Sequence, residues 1–162
     1  MTDHAAPPAP TIRPLPEAPF QGNLRQIAQG EWAGWHQWAG NDPFEDATGP
    51  FYVAHDDQGI VCGFRPAAHN RNGHGSIHGG CLMTFADFAL FMLGASQGEE
   101  IHGVTVSMNS EFLAPAHAGQ LLIARGERVA GGRSLLFVRG VITADGAPVL
   151  AFSGVVKRVK SA

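Results

Sequence analysis

Gly79-Gly80-Cys81-Leu82-Met83-Thr84-Phe85-Ala86-Asp87-Phe88-Ala89-Leu90-Phe91-Met92-Leu93 is the stretch that decides the fold. From Gly79 to about Gln97 there is neither a proline nor a cluster of turn residues. Leu82, Met83, Phe85, Ala86, Ala89, Leu90, Phe91, Met92 and Leu93 leave hardly any side of it polar. A helix that is apolar nearly all round is a buried one. At about 1.5 Å per residue it is roughly 28 Å long. Whatever flanks it has to cover it.

Upstream, Phe51-Tyr52-Val53-Ala54 and Ile60-Val61-Cys62-Gly63-Phe64 stand on either side of the turn Asp56-Asp57-Gln58-Gly59 and read as a β-hairpin. Downstream, Val104, Val106, Met108 and Phe112 alternate with Thr105, Ser107, Asn109 and Glu111, and Pro115 ends that strand. Strands over 121–129, 135–143 and 149–159 follow, parted by the turn pairs Gly131-Gly132 and Asp145-Gly146. A hairpin, one long buried helix and a meander of about four strands predict an α+β fold. A curved antiparallel sheet wraps that single central helix.

The first forty residues differ. Pro7, Pro8, Pro10, Pro14, Pro16 and Pro19 block regular structure and predict an extended arm over 1–20. Trp32, Trp35 and Trp38 recur every third residue, which suggests a short or broken helix ending at Asn41-Asp42-Pro43. The expected division is therefore an arm with a tryptophan-bearing helical extension over 1–40 and the main domain over 41–162. The tryptophans are expected to pack, or to line or cover a pocket.

The chain has 162 residues, 44% of them hydrophobic and 15% charged, with a net charge of −3. That is one globular domain without the basic excess of a nucleic-acid-binding protein. Cys62 and Cys81 are too few for a disulfide framework and read as buried thiols. Met1 to Pro10 lacks the pattern of a signal peptide, and Asp87 interrupts the longest apolar run. A cytoplasmic location with no membrane partner is the expectation.

The chemistry concentrates in Asn72-Gly73-His74-Gly75-Ser76-Ile77-His78-Gly79-Gly80 and the helix that follows. A helix start presents unpaired N–H groups and partial positive charge. Without a Cβ at Gly79 and Gly80, a substrate carbonyl can come close to those groups, which makes an oxyanion site without side chains. Asp87 is a carboxylate in an apolar helix, costly to bury ionised unless paired. Alone it would read as a structural acid, capping a neighbouring loop or pairing with a buried arginine. Beside the Gly79-Gly80 start it becomes a functional candidate. It lies eight residues beyond Gly79, about 12 Å along a helix. A general base must reach its proton within about 3 Å. One chain's Asp87 thus does not reach its own Gly79, and the spacing favours two helices side by side and antiparallel in a dimer.

The pattern Asn-x-x-Gly-x-x-His-Gly-Gly followed by a helical acid resembles the phenylacetyl-CoA/acyl-CoA thioesterase branch of the hotdog superfamily. Here it reads Asn72, Gly75, His78, Gly79, Gly80 and Asp87. The likeness continues into 103–109 and 112–116 and covers roughly residues 45–159. It implies a hotdog fold and hydrolysis of an acyl-CoA thioester by a homodimer or homotetramer that needs no cofactor. By the same resemblance, the Gly79 N–H and the Asn72 side chain polarise the carbonyl. Asp87 activates water or attacks directly, and Thr105 orients that water or Asp87. His78 shapes the loop near the carbonyl. Asn72, rather than Asn70, is assigned by spacing.

Other readings stay open at this stage. His69, His74 and His78 resemble zinc-ligand spacing, but no cysteine or acid in the loop completes a set, so no metal is expected. Of the C-terminal cations, Arg133 beside Ser134 is the best placed to hold CoA phosphates, with Gly80 as a further substrate contact. A hydratase or dehydratase on the same fold would use His78 as its imidazole. A non-catalytic acyl-CoA-binding module is the third possibility, since fold alone does not fix function.

Overall fold

The computed structural model describes residues 10–13, 15, 23–95 and 102–159. The buried helix is present as α2, Gly79–Gly94. The continuation expected to about Gln97, and most of the proline-rich arm, lie outside the described residues. Cys81, Leu82, Phe85, Ala86, Phe88, Ala89, Leu90, Met92, Leu93 and Gly94 of α2 are all buried. Gly80, Met83, Thr84, Asp87 and Phe91 are less so, and their spacing of three and four residues makes them one stripe along the helix.

Eight strands wrap α2: β1 Leu24–Gln26, β2 His36–Trp38, β3 Tyr52–Asp56, β4 Gly59–Phe64, β5 Gly103–Phe112, β6 Leu122–Gly131, β7 Leu135–Ala144 and β8 Ala147–Arg158. They form one antiparallel sheet in the order β1-β2-β3-β4-β6-β7-β8-β5. This is the hotdog arrangement expected from the sequence, with two differences. The downstream meander has three strands, β6 to β8. β5 does not continue it but turns back to pair with β8 at the edge.

The second difference is upstream. Residues 24–38 are a strand hairpin, not a broken helix. Gly30 and Gly34 both adopt positive φ, which glycine tolerates and a helix does not. Trp35 donates its N–H to the Trp32 carbonyl at 3.0 Å inside the turn, and the Ile27 N–H bonds to the Trp35 carbonyl at 2.8 Å. The threefold tryptophan spacing therefore reflects two turn residues and one strand residue. β2 pairs with β3 through His36 and Val53, so the sheet runs on across the boundary expected between residues 40 and 41. Trp32 stacks on Tyr52 with ring centroids 4.3 Å apart and meets Trp35 edge-on at 5.0 Å. These form a second apolar cluster with Ala54, Val61 and Leu121, on the sheet face away from α2.

A short helix not foreseen, α1, spans Pro43–Thr48. Asp42 caps it, accepting from the Glu45 N–H at 3.1 Å, and a proline opens it. Asp42-Pro43-Phe44-Glu45 thus starts one helix, where the sequence reading took Asn41-Asp42-Pro43 as the end of another.

The main core lies between α2 and the concave sheet face. Phe85 is fully buried, with ring centroids 5.2 Å from Phe51 and 5.5 Å from Phe64. Gly154 lets β8 approach the helix: a Cβ there would lie 2.5 Å from a Leu90 methyl. Among the described residues no helix is long and apolar enough to cross a membrane. Phe85→Ala is expected to lower unfolding stability by about 3–5 kcal/mol through loss of burial and a residual cavity. Denaturant unfolding of the two proteins measures it.

Candidate active site

Asp87 sits on the less buried stripe of α2, where β5 passes. Thr105 Oγ1 donates to Asp87 Oδ1 at 2.6 Å. β5 carries an irregularity immediately after Thr105. The pairing with β8 shifts register between Thr105 and Ser107, where one residue is inserted. A bulge of this kind re-aims the side chains around it. Thr105 turns toward the helix, while Val104 and Val106 point outward, 51% and 53% exposed.

Burial pushes the Asp87 carboxyl above its ordinary range. The Thr105 hydrogen bond pulls it back down, and the negative charge of Asp42 pushes it up again. Asp87 opens onto a cavity of about 360 Å³ whose lining includes Trp38, Asp42, Glu45, Phe88, Phe91 and Met92. Of the three tryptophans, Trp38 lines this cavity.

Asp42 and Glu45 escaped the sequence reading, although Asp42-Pro43-x-Glu45 is itself a helix-start signature. Glu45 is raised to about 7, first by burial and then by the charges of Asp42, Asp87 and Asp46.

A second cavity, also about 360 Å³, opens at the start of α2 between Asn72, Ser76, Ile77, Gly79, Leu82 and the 112–116 segment. His78 caps the helix. Its Nδ1 accepts from the Gly80 N–H at 2.9 Å, and its carbonyl accepts from the Cys81 and Leu82 N–H groups. The Gly80 N–H is thus occupied by His78. Gly79 keeps the helix-start N–H with no intrahelical acceptor. A Cβ at Gly79 would meet the Phe112 ring at 3.1 Å, so only glycine fits without displacing that ring.

Asn72 closes its loop. Its Oδ1 accepts from the His74 N–H, and its Nδ2 donates to Ser76 Oγ, both at 2.9 Å. Asn70 differs: it is buried, accepts from the Ala67 N–H at 2.8 Å and donates to the Thr48 carbonyl at 2.7 Å. Of the two asparagines, the one assigned by spacing lines the cavity and the other ties the loop to the end of α1.

Asn72 and Gly79 line one cavity and Asp87 the other, as the helical spacing requires. Thr105 contacts Asp87. Arg133 and Ser134 are exposed in the β6–β7 turn and line neither cavity. Among the other C-terminal cations, Arg125 pairs with Asp56 and Arg139 with Glu127. Cys62 and Cys81 are free and buried, and burial raises both thiols, Cys81 to about 11. Neither is a nucleophile at neutral pH. Among the described residues no group of histidine, cysteine and acid side chains has the arrangement of a metal site.

Residues 74–151 match the model of the thioesterase superfamily. Over that stretch, just under half of its length, the chain resembles that superfamily. The acyl-coenzyme A thioesterase PaaI of Escherichia coli (strain K12) is 33% identical over 93 residues, 57% of this chain and 65% of that protein. A Schizosaccharomyces pombe protein named as an esterase is 35% identical over 54 residues, 33% of this chain and 34% of its own length. The chain thus spans about a third and just under two thirds of these two curated relatives. Among solved structures, E. coli PaaI superposes with a TM-score of 0.64 at 28% identity, covering 75% of this chain and 87% of that one. The TT0310 protein of Thermus thermophilus gives 0.63 at 29% identity, covering 74% of this chain and all of that one.

Two outcomes test the electrostatics. Thr105→Val removes the bond that favours ionised Asp87, so the Asp87 carboxyl is expected to titrate at higher pH, as followed by carbon NMR. Glu45 holds its proton more tightly in the folded chain than in the unfolded one. Its stabilising contribution is therefore complete below its ordinary range and lost as pH rises through about 7. Glu45→Gln is expected to be more stable than the parent at alkaline pH, by on the order of 1–2 kcal/mol after solvent screening, with the difference closing in acid. Thermal melts across pH measure it.

Proposed function

We propose that this protein hydrolyses an acyl-CoA or aryl-acyl-CoA thioester to the free acid and CoA. The observation that carries this reading is a part-buried Asp87, held by Thr105, opening onto a largely apolar cavity of acyl-group size. The apolar walls take the acyl body. Asp87, ionised, takes a proton from water as it adds to the thioester carbon, or adds to that carbon itself to give a mixed anhydride that water then hydrolyses, releasing the acid and restoring Asp87. Thr105 keeps the carboxylate oriented and favours its ionised form. The negative oxygen that develops on the carbonyl is stabilised by the Gly79 N–H and the Asn72 amide, helped by the positive end of the α2 dipole. The C–S bond then breaks and the CoA thiolate leaves, taking up a proton.

In this reading the two halves of the site come from two chains. Asp87 and Gly79 of one chain line separate cavities. β5 adds independent support. It is a ten-residue edge strand whose Val104, Val106 and Phe112 are each more than half exposed. An uncovered edge of that length, carrying apolar side chains, invites pairing with another chain. A second copy with α2 antiparallel to the first would bring its Gly79 and Asn72 to this chain's Asp87. His78, the imidazole a hydratase would need, has its Nδ1 committed to the Gly80 N–H, so nothing in the site favours that chemistry.

Asp87→Asn and Asn72→Ala are each expected to reduce thiol release from acyl-CoAs by at least about a hundredfold with the fold retained. Mixing the two inactive variants under conditions that exchange subunits is expected to restore roughly a quarter of parental activity. Half of the dimers are then hybrids, and one of their two sites is intact. Full activity in Asp87→Asn would overturn the mechanism. No recovery on mixing, with hybrids shown to form, would overturn the shared site.

A further inference from the structure

Asn72 is the one asparagine of the chain that precedes a glycine. That pairing has a chemistry of its own, which the proposed hydrolysis does not use. The backbone nitrogen of the following residue can attack the side-chain amide carbon and close a succinimide ring. A side chain on the following residue hinders this approach, and glycine has none.

The loop keeps the nucleophile open. Gly73 is exposed, and among the described residues its N–H has no hydrogen-bond acceptor. The backbone around it is committed: the Asn72 N–H donates to the Ser76 carbonyl at 2.8 Å, and the Gly75 N–H to the Asn72 carbonyl at 3.1 Å. The electrophile is held at both of its polar atoms. Asn72 Oδ1, where negative charge develops as the ring closes, accepts from the His74 N–H at 2.9 Å. Asn72 Nδ2 lies 2.9 Å from Ser76 Oγ, a hydroxyl placed to pass a proton to the leaving nitrogen. Asn70 shows the contrast. It is buried, its side chain bonds to the Ala67 N–H and the Thr48 carbonyl, and the N–H that follows it, on Arg71, donates to the Ala68 carbonyl.

We infer that Asn72-Gly73 is a self-modifying site, at which Asn72 converts without any other enzyme to an aspartyl or isoaspartyl residue. The Gly73 nitrogen gives up its proton and bonds to the Asn72 amide carbon. The bond from that carbon to Nδ2 breaks, and ammonia leaves with the proton. Water then opens the succinimide. Opening at the side-chain carbonyl gives the aspartyl product, and opening at the backbone carbonyl gives the isoaspartyl one. One water is consumed for each ammonia released, and nothing is oxidised or reduced. The step quickens as pH rises, because the nitrogen attacks once it has lost its proton. Its consequence for activity rests on the proposed hydrolysis. A donor amide beside the developing carbonyl oxygen becomes a carboxylate, which only accepts and repels that charge. The site therefore loses activity as the protein ages, with the fold in place.

The test holds the full chain, as parent and as Gly73→Ala, warm at mildly alkaline pH beside a short peptide of residues 69–77. Peptide mapping by mass spectrometry and isoaspartyl-specific methylation follow position 72, and thiol release from acyl-CoAs follows activity. A Cβ at Gly73 meets nothing within 4 Å, the residue has no positive φ, and it lines neither cavity. Gly73→Ala is therefore expected to start at parental activity. In the parent, position 72 is expected to be modified ahead of Asn23, Asn41, Asn70 and Asn109, at a rate within about threefold of the peptide's. Activity falls in proportion while circular dichroism stays unchanged. Gly73→Ala is expected to slow both changes by at least about tenfold. A parental rate about a hundredfold or more below the peptide's, or equal rates in the parent and Gly73→Ala, overturns the inference. Modification at position 72 with thiol release undiminished leaves the inference standing and overturns the part given to Asn72 in hydrolysis. Modification there in a parent that never releases thiol overturns the proposed hydrolysis alone.

Discussion

The burial of α2 constrains everything around it. A sixteen-residue helix with so few polar side chains has to lose almost all of its surface to other elements. A single flat layer of strands would cover one side. The sheet therefore curls, β5 folds back to pair with β8 instead of extending the meander, and Gly154 lets β8 close to contact with Leu90. What stays less buried is one stripe of the helix, and Asp87 stands on that stripe beside the edge strand β5.

Placing a carboxyl there raises its cost of ionisation. Thr105, on the inward side of β5, answers this locally by donating at 2.6 Å. The alternation of the strand leaves Val104 and Val106 facing outward. One strand thus serves both halves of the proposed mechanism: it orients the acid, and it leaves an apolar edge that a second chain can cover. The helix start is built on a different principle: His78 takes the Gly80 N–H with its ring, and Gly79, whose N–H has no intrahelical acceptor, lines a cavity.

Much of this was legible in the sequence because it depended on local pattern. The hairpin over 52–64, the helix from Gly79 and the turns at Gly131-Gly132 and Asp145-Gly146 all rest on short-range chemistry. The separation of Gly79 from Asp87 rests on helical rise alone. The tryptophan segment misled because a spacing of three residues fits a helical face as well as it fits a turn followed by a strand. Gly30 and Gly34 were the contrary signal. They weakened the expected helix, but only their positive φ in the folded chain shows that they make a turn.

The sequence by itself determined that a buried helix carries one carboxylate too far from its own N-terminus to share a site with it. Rise per residue and the cost of burying charge are properties of any chain with this pattern. Only the tertiary structure decided which groups surround that carboxylate. Thr105 meets Asp87 because β5 passes α2 at that point, and α1 brings Glu45 and Asp42 to the same cavity from about forty residues upstream. Those contacts join elements distant in the chain, through packing that no local pattern of residues encodes.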